Sequence, residues 1–122
     1  MNTILWIIQG ILAAMFAMAG TMKSTQPIDK LLKSGVTWAD RFPLATVRLI
    51  GVSELLGALG LILPWLLNIA PILTPVAASG LAFVQLLAIF HHAKHKEGKA
   101  IVFNIVLLSL AAFVAYGRFN SL

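Results

Sequence analysis

Residues 44–63 read LATVRLIGVSELLGALGLIL, and Pro64 and Trp65 follow. Twenty residues at about 1.5 Å rise each span roughly 30 Å, the thickness of a bilayer's hydrocarbon core. Only Arg48 and Glu54 in this run are charged. A helix of that length and polarity belongs in lipid, and the rest of the chain repeats the pattern. Comparable apolar runs cover about 4–22, 72–90 and 100–116, so the predicted fold is all-α: an integral membrane four-helix bundle forming one transmembrane domain over 1–122.

Composition supports this. The 122 residues are 60% hydrophobic and 11% charged, with mean hydropathy +0.95. Soluble domains carry roughly 25% charged residues, so this surface is not made for water. The formal charge of +5 would suggest nucleic acid in a soluble protein. Here the basic residues flank apolar runs, so anionic lipid headgroups are the expected partner and nucleic acid is not. With no cysteine, the chain has no disulfide, no cysteine-ligated iron–sulfur cluster and no thiol nucleophile of its own. Ala17-Met18-Ala19 before Gly20 resembles a signal cleavage site, but nothing basic precedes Ile4, so the first run reads as a retained span.

The connections set the topology. The first holds Lys23, Lys30, Lys33 and Arg41; the third holds Lys94, Lys96 and Lys99; the second holds no charge. By the positive-inside rule the first and third connections face the cytoplasm and both termini face outward, as expected for a bacterial inner-membrane protein. Trp6, Trp65 and Tyr116 would then form an outer aromatic belt, with Trp38 at the inner interface. Pro27 opens a predicted short interfacial helix between spans 1 and 2, which carries Ile28, Leu31 and Leu32 on one side and ends at Gly35. Thr74-Pro75 reads as an N-cap followed by the first helical position of span 3, with the helix starting there or a few residues earlier.

Small residues mark expected packing faces: Gly10, Ala14, Ala17 and Gly20 in span 1, Gly51 and Gly57 in span 2, Ala78 and Ala82 in span 3. The polar residues within the spans are Arg48, Glu54, Gln85 and Asn104. A charge at a span centre costs about 2.5–3.5 kcal/mol on insertion scales, so such groups turn inward and find partners. Counted from the basic-loop ends, Arg48, Gln85 and Asn104 lie in the inner third and Glu54 near mid-bilayer. His92 falls one heptad beyond Gln85, at the rim. These residues define an expected polar pocket, Arg48, Glu54, Gln85, His92 and Asn104, in the inner half of the bundle. Taken singly, Gln85 and Asn104 also read as interhelical hydrogen-bonding residues, and Arg48 as a side chain snorkelling to phosphate. Six residues put Arg48 and Glu54 on different sides of one helix, so they do not pair directly. His91 and His95 have i, i+4 spacing, but lysines surround them and no acidic or thiol ligand supports a metal. No Ser-His-Asp order and no phosphate loop is present.

Ala19-Gly20 with Lys23, the Arg48…Gly51…Glu54…Gly57-Ala58-Leu59-Gly60…Pro64 segment, Ala88 through His91, Asn104 and Gly117-Arg118-Phe119 together resemble the DoxX-like family of small four-span bacterial membrane proteins. That resemblance implies association with quinone-linked oxidation, such as thiosulfate oxidation, or with membrane-associated oxidative-stress complexes. It places Arg48, Glu54 and Asn104 at matching polar positions and His91 at the end of span 3, which adds His91 to the pocket residues. It implies no catalytic set. The expected function is a non-catalytic subunit that binds a partner and a small amphipath such as a quinone, with no cofactor held by the chain itself. The alternatives are the membrane subunit of a quinone-linked oxidoreductase with its redox centre in another chain, or a small proton-coupled transporter acting through Glu54 as a homo-oligomer.

Overall fold

A computed structural model describes all 122 residues. The chain forms α1 (Asn2–Thr25), α2 (Ile28–Lys33), α3 (Leu44–Leu67), α4 (Leu73–Lys94) and α5 (Gly98–Phe119), with no strand. The four long helices meet in a closed ring, α1 beside α3, α3 beside α4, α4 beside α5, and α5 back on α1. The closest pairings are α1/α3 and α4/α5, and the α1/α5 seam is the thinnest. Only 22–28% of each span's apolar window is buried. Ile7, Leu56, Phe83 and Val106 point outward from the four long helices. So extensive an exposed apolar surface would aggregate in water and is the correct surface for hydrocarbon.

All four helices contribute to one core, which includes Leu12, Phe16, Ala58, Leu61, Ala78, Leu81, Leu107 and Val114. The helices extend beyond the predicted spans at most ends. A helical backbone keeps satisfying its own hydrogen bonds through the interfacial layer, so polar residues such as Ser24 and His92 stay helical there.

Pro64 lies inside α3 and does not end it; the helix runs on to Leu67 and stops at Asn68, whose φ of 53° is left-handed. Proline has no N–H for the Gly60 carbonyl four residues back. The Thr74 hydroxyl of α4 donates to that carbonyl at 2.9 Å, and Gln9 Nε2 donates to the adjacent Leu61 carbonyl at 2.5 Å. Thr74 is therefore not the N-cap of α4, which begins at Leu73 after Ile72. Its hydroxyl serves the neighbouring helix, whose proline leaves an acceptor free.

The short α2 ends in a Schellman arrangement. Gly35, at φ +98°, lets its N–H reach Leu32 O at 3.2 Å while the Val36 N–H reaches Leu31 O at 3.0 Å. Leu31 and Ala39 are fully buried against Val47, with Met22 and Trp38 around them. The segment is thus docked on the basic-loop end of the bundle, and Trp38 and Phe42 lie over what is underneath.

Candidate functional site

Beneath that segment lies a buried ion pair. Lys23 Nζ stands 2.7 Å from Glu54 Oε1, with the Glu54 side chain 3% exposed. Two glycines position it. A Cβ on Gly20 would fall 2.6 Å from the Gly51 carbonyl oxygen, and one on Gly51 would fall 2.6 Å from the Ser24 amide nitrogen. The two antiparallel backbones therefore touch here, with Lys23 and Glu54 each three residues past its glycine. Helical side chains lean toward their own N-terminus. In an antiparallel pair they lean toward each other, so the lysine reaches deeper into the bundle and the carboxylate reaches back to meet it. Glu54 is ten residues into α3, about 15 Å along its axis. Lys23 Nζ also sits 5.4 Å from the centre of the Trp38 ring.

Across from this pair, Asn104 of α5 donates its amide to Gln85 Oε1 of α4. Both residues are buried. Reversing both amides would keep the bond and still leave one amine and one carbonyl free. Glu54 Oε2 and two of the three ammonium hydrogens of Lys23 also make no bond within the protein. Two cavities receive this unused capacity. The first, of about 240 Å³, lies between α3 and α4 and is lined by Ile50, Val84, Leu87, Ala88, His91 and His92, with Trp38 and Phe42 above. The second, of about 200 Å³, lies between α1 and α5. Lys23, Glu54, Gln85 and Asn104 line both.

The covering segment is fastened by Glu97, in the turn between α4 and α5. Arg41 Nη1 donates to Glu97 Oε1 at 2.9 Å, the Thr37 hydroxyl donates to Oε2 at 2.6 Å, and His92 Nδ1 lies 3.0 Å from Oε1. These hydrogen bonds, led by that from Arg41, hold the Glu97 carboxyl far below the usual carboxylate range. Arg41 also stands 3.2 Å from His91 Nε2. The His91 ring lies between Phe42, at 5.2 Å, and His95, at 4.6 Å. No set of three or more His, Cys, Asp or Glu side chains converges in metal-ligating geometry.

The structure thus brings Glu54, Gln85, His91, His92 and Asn104 around one cavity and leaves Arg48 out of it. Arg48 Nη1 donates to the carbonyls of Lys23, at 3.0 Å, and Gln26, at 2.5 Å. It caps the C-terminus of α1, where helix carbonyls have no intrahelical partner and the dipole favours a cation. Of the expected packing residues, Gly20, Gly51, Gly57 and Ala78 lie at helix contacts, with Ala17 and Ala82 against the core. Gly10 and Ala14 do not; they lie on the outer surface. The inward face of α1 is Leu5, Gln9, Leu12, Phe16 and Gly20, about 140° around the helix from the Gly10–Ala14 stripe.

Sequence reading did not find Lys23 as the partner of Glu54, although a charge three residues beyond each close-packed glycine was the available signal. It also did not find the polar knot at the other end. There Arg118, 1% exposed, bonds Gln9 and Asn2 and lies over the rings of Trp6 and Trp65. The expected outer belt therefore contains two tryptophans turned onto a buried arginine.

The sequence model of the DoxX-like family matches residues 7–114. That stretch contains Lys23, Glu54, Gln85, His91, His92 and Asn104 and stops short of Arg118. No curated protein and no solved structure matches the chain.

Proposed function

The chain belongs to the DoxX-like family, and we propose that this multi-pass membrane protein is a non-catalytic subunit that binds the head of a small amphipathic molecule, a quinone being the candidate, at Glu54, Gln85 and Asn104. One observation carries the reading: three buried polar side chains present unfilled donors and acceptors to a cavity roofed by Trp38 and Phe42. The residues line the cavity, so a ligand head that enters it can hydrogen-bond their free groups and be fixed in orientation by them. At about 240 Å³ the cavity is smaller than the roughly 300–1,000 Å³ of a drug-sized site. It suits one substituted ring.

In this reading any electron transfer takes place on a partner chain, and the bound molecule is passed to or from it within the bilayer. A proton-carrier role for Glu54 is less well supported, because its carboxyl group is already engaged by Lys23 at 2.7 Å. The basic-loop end, with Lys30, Lys33, Arg41, Lys94 and Lys96, faces the cytoplasm of a bacterial inner membrane, and both termini face outward.

The test is quinone retention by the purified protein. Gln85→Leu and Asn104→Leu should each abolish it, while Arg48→Ala should leave it intact. Retention unchanged in both pocket variants overturns the reading. Orientation has its own test, because the chain has no cysteine. A cysteine introduced at Leu122 should react with an impermeant maleimide on intact cells, and protection would invert the topology.

A further inference from the structure

A head bound at the polar cluster needs somewhere to put its tail, and the head cavity has little room for one. Its roof is Trp38, Phe42 and the histidine rim at the basic-loop end. The second cavity adjoins the same four polar side chains from the α1/α5 side. The rest of its lining is apolar and includes Met15, Met18 and Met22, three of the chain's four methionines. Methionine is unbranched and polarizable and adapts to irregular partners. The cavity lies at the thinnest of the four helix seams, and its mouth residues Met18 and Phe103 are 64% and 54% exposed to the surrounding lipid.

We propose that the α1/α5 cavity is the tail subsite of the same ligand: the head bonds Glu54, Gln85 and Asn104, and a single hydrocarbon chain leaves the bundle between Met18 and Phe103. This rests on the binding reading above. It also restricts the head. Lys23 and Glu54 neutralise each other at 2.7 Å, and Gln85 and Asn104 leave one amine and one carbonyl unused. The free capacity is therefore mixed and carries no net charge. A carboxylate or ammonium head would be buried without a counter-charge, whereas an uncharged head with carbonyl or hydroxyl groups fits. Lipid chains are as apolar as this seam, so the tail adds little affinity; its path fixes the ligand's orientation.

The experiment uses the full chain in lipid nanodiscs and three probes: tailless dimethoxy-methyl-benzoquinone, its decyl-tailed analogue, and decanoate. The wild type should bind both quinones and not decanoate. Ala19→Phe, which fills the tail cavity, should weaken the decyl quinone by about tenfold or more while sparing the tailless ring. Ala88→Phe, which fills the head cavity, should weaken both. A diazirine at the end of the decyl chain should crosslink to Met18 or Phe103, and this wild-type measurement does not depend on how the variants fold. Crosslinks at Ile50 or Leu87, or an Ala19→Phe variant that spares the tailed probe, would remove the tail subsite and leave the head site standing. Tight binding of decanoate would overturn the uncharged-head assignment. Failure of the wild type to bind either quinone would remove both readings together.

Discussion

Arg118 Nε donates to Gln9 Oε1 at 2.6 Å, joining the last turn of α5 to α1 across 109 positions of sequence. Gln9 passes the connection on by donating to the Leu61 carbonyl beside the Pro64 interruption. Arg118 Nη1 donates to Asn2 Oδ1 at 2.8 Å, and the guanidinium lies 4.5 Å from the centre of the Trp65 ring and 5.3 Å from that of Trp6. One side chain thereby ties together three helices at the terminal end. Hydrogen bonds to a charged group contribute about 1.5–3 kcal/mol each. Arg118→Ala should therefore lower stability in detergent by about 3 kcal/mol or more, read from thermal unfolding. Arg118→Lys should recover little of it, because an ammonium lacks the planar fork and stacks poorly. Full recovery by lysine would mean that charge alone matters.

The Lys23–Glu54 pair makes a different prediction. Removing one member of a buried pair costs about 3–5 kcal/mol, since the other is left uncompensated. Lys23→Met should show the larger loss, because Glu54 is then stranded in the buried interior of the bundle. Glu54→Gln should cost less, since Lys23 is near the end of α1 and its long stem can redirect the ammonium toward the headgroups. The double variant Lys23→Met/Glu54→Gln should be more stable than Lys23→Met alone. Additive losses in the three thermal unfolding curves would deny the coupling.

Arg48 is expected to act on structure and not on ligand. Arg48→Ala uncovers the Lys23 and Gln26 carbonyls and should cost about 1–3 kcal/mol. Amide exchange should rise in α2 and the last turn of α1 while quinone retention is kept. Lost retention with unchanged exchange would place Arg48 at the ligand after all.

The Glu97 latch has a defined pH behaviour. Its folded pKa lies far below the ordinary 4.5. A depressed carboxylate contributes stability that is fully present above the unfolded value and is lost as pH falls through the folded one. Segment 36–42 should thus stay protected from hydrogen exchange between pH 8 and pH 5, after correction for intrinsic rates, and loosen only on strong acidification. Thr37, Arg41, His91 and His92 are the groups around the carboxylate. Glu97→Gln should open the segment at neutral pH, read as faster tryptic cleavage after Arg41. A protection change centred near pH 6 would assign the latch to histidine instead.

Much of the architecture was legible from individual residues. Glu54, Gln85 and Asn104 are too polar for lipid and had to turn inward, and His92 lies a heptad beyond Gln85. The role of Arg48 was not legible, because its acceptors are carbonyls at the end of another helix, and backbone acceptors leave no mark in residue type. Gly10 and Ala14 misled for a related reason. Small residues permit close approach but do not require it, and α1 turned its larger Leu12 and Phe16 inward instead.

Local chemistry was enough to give the number of spans and the short helix between the first two. Those follow from transfer free energies and the rise per residue, which act on each segment alone. Pairings across helices needed the assembled bundle: Lys23 with Glu54, Arg118 with Gln9, Thr74 with the carbonyl freed by Pro64, and Glu97 with the covering segment. In hydrocarbon no gradient of polarity selects one helix face over another apolar one. Rotation and register are then set by which backbones fit closest, as at Gly20 and Gly51, and that is a property of surfaces meeting in three dimensions.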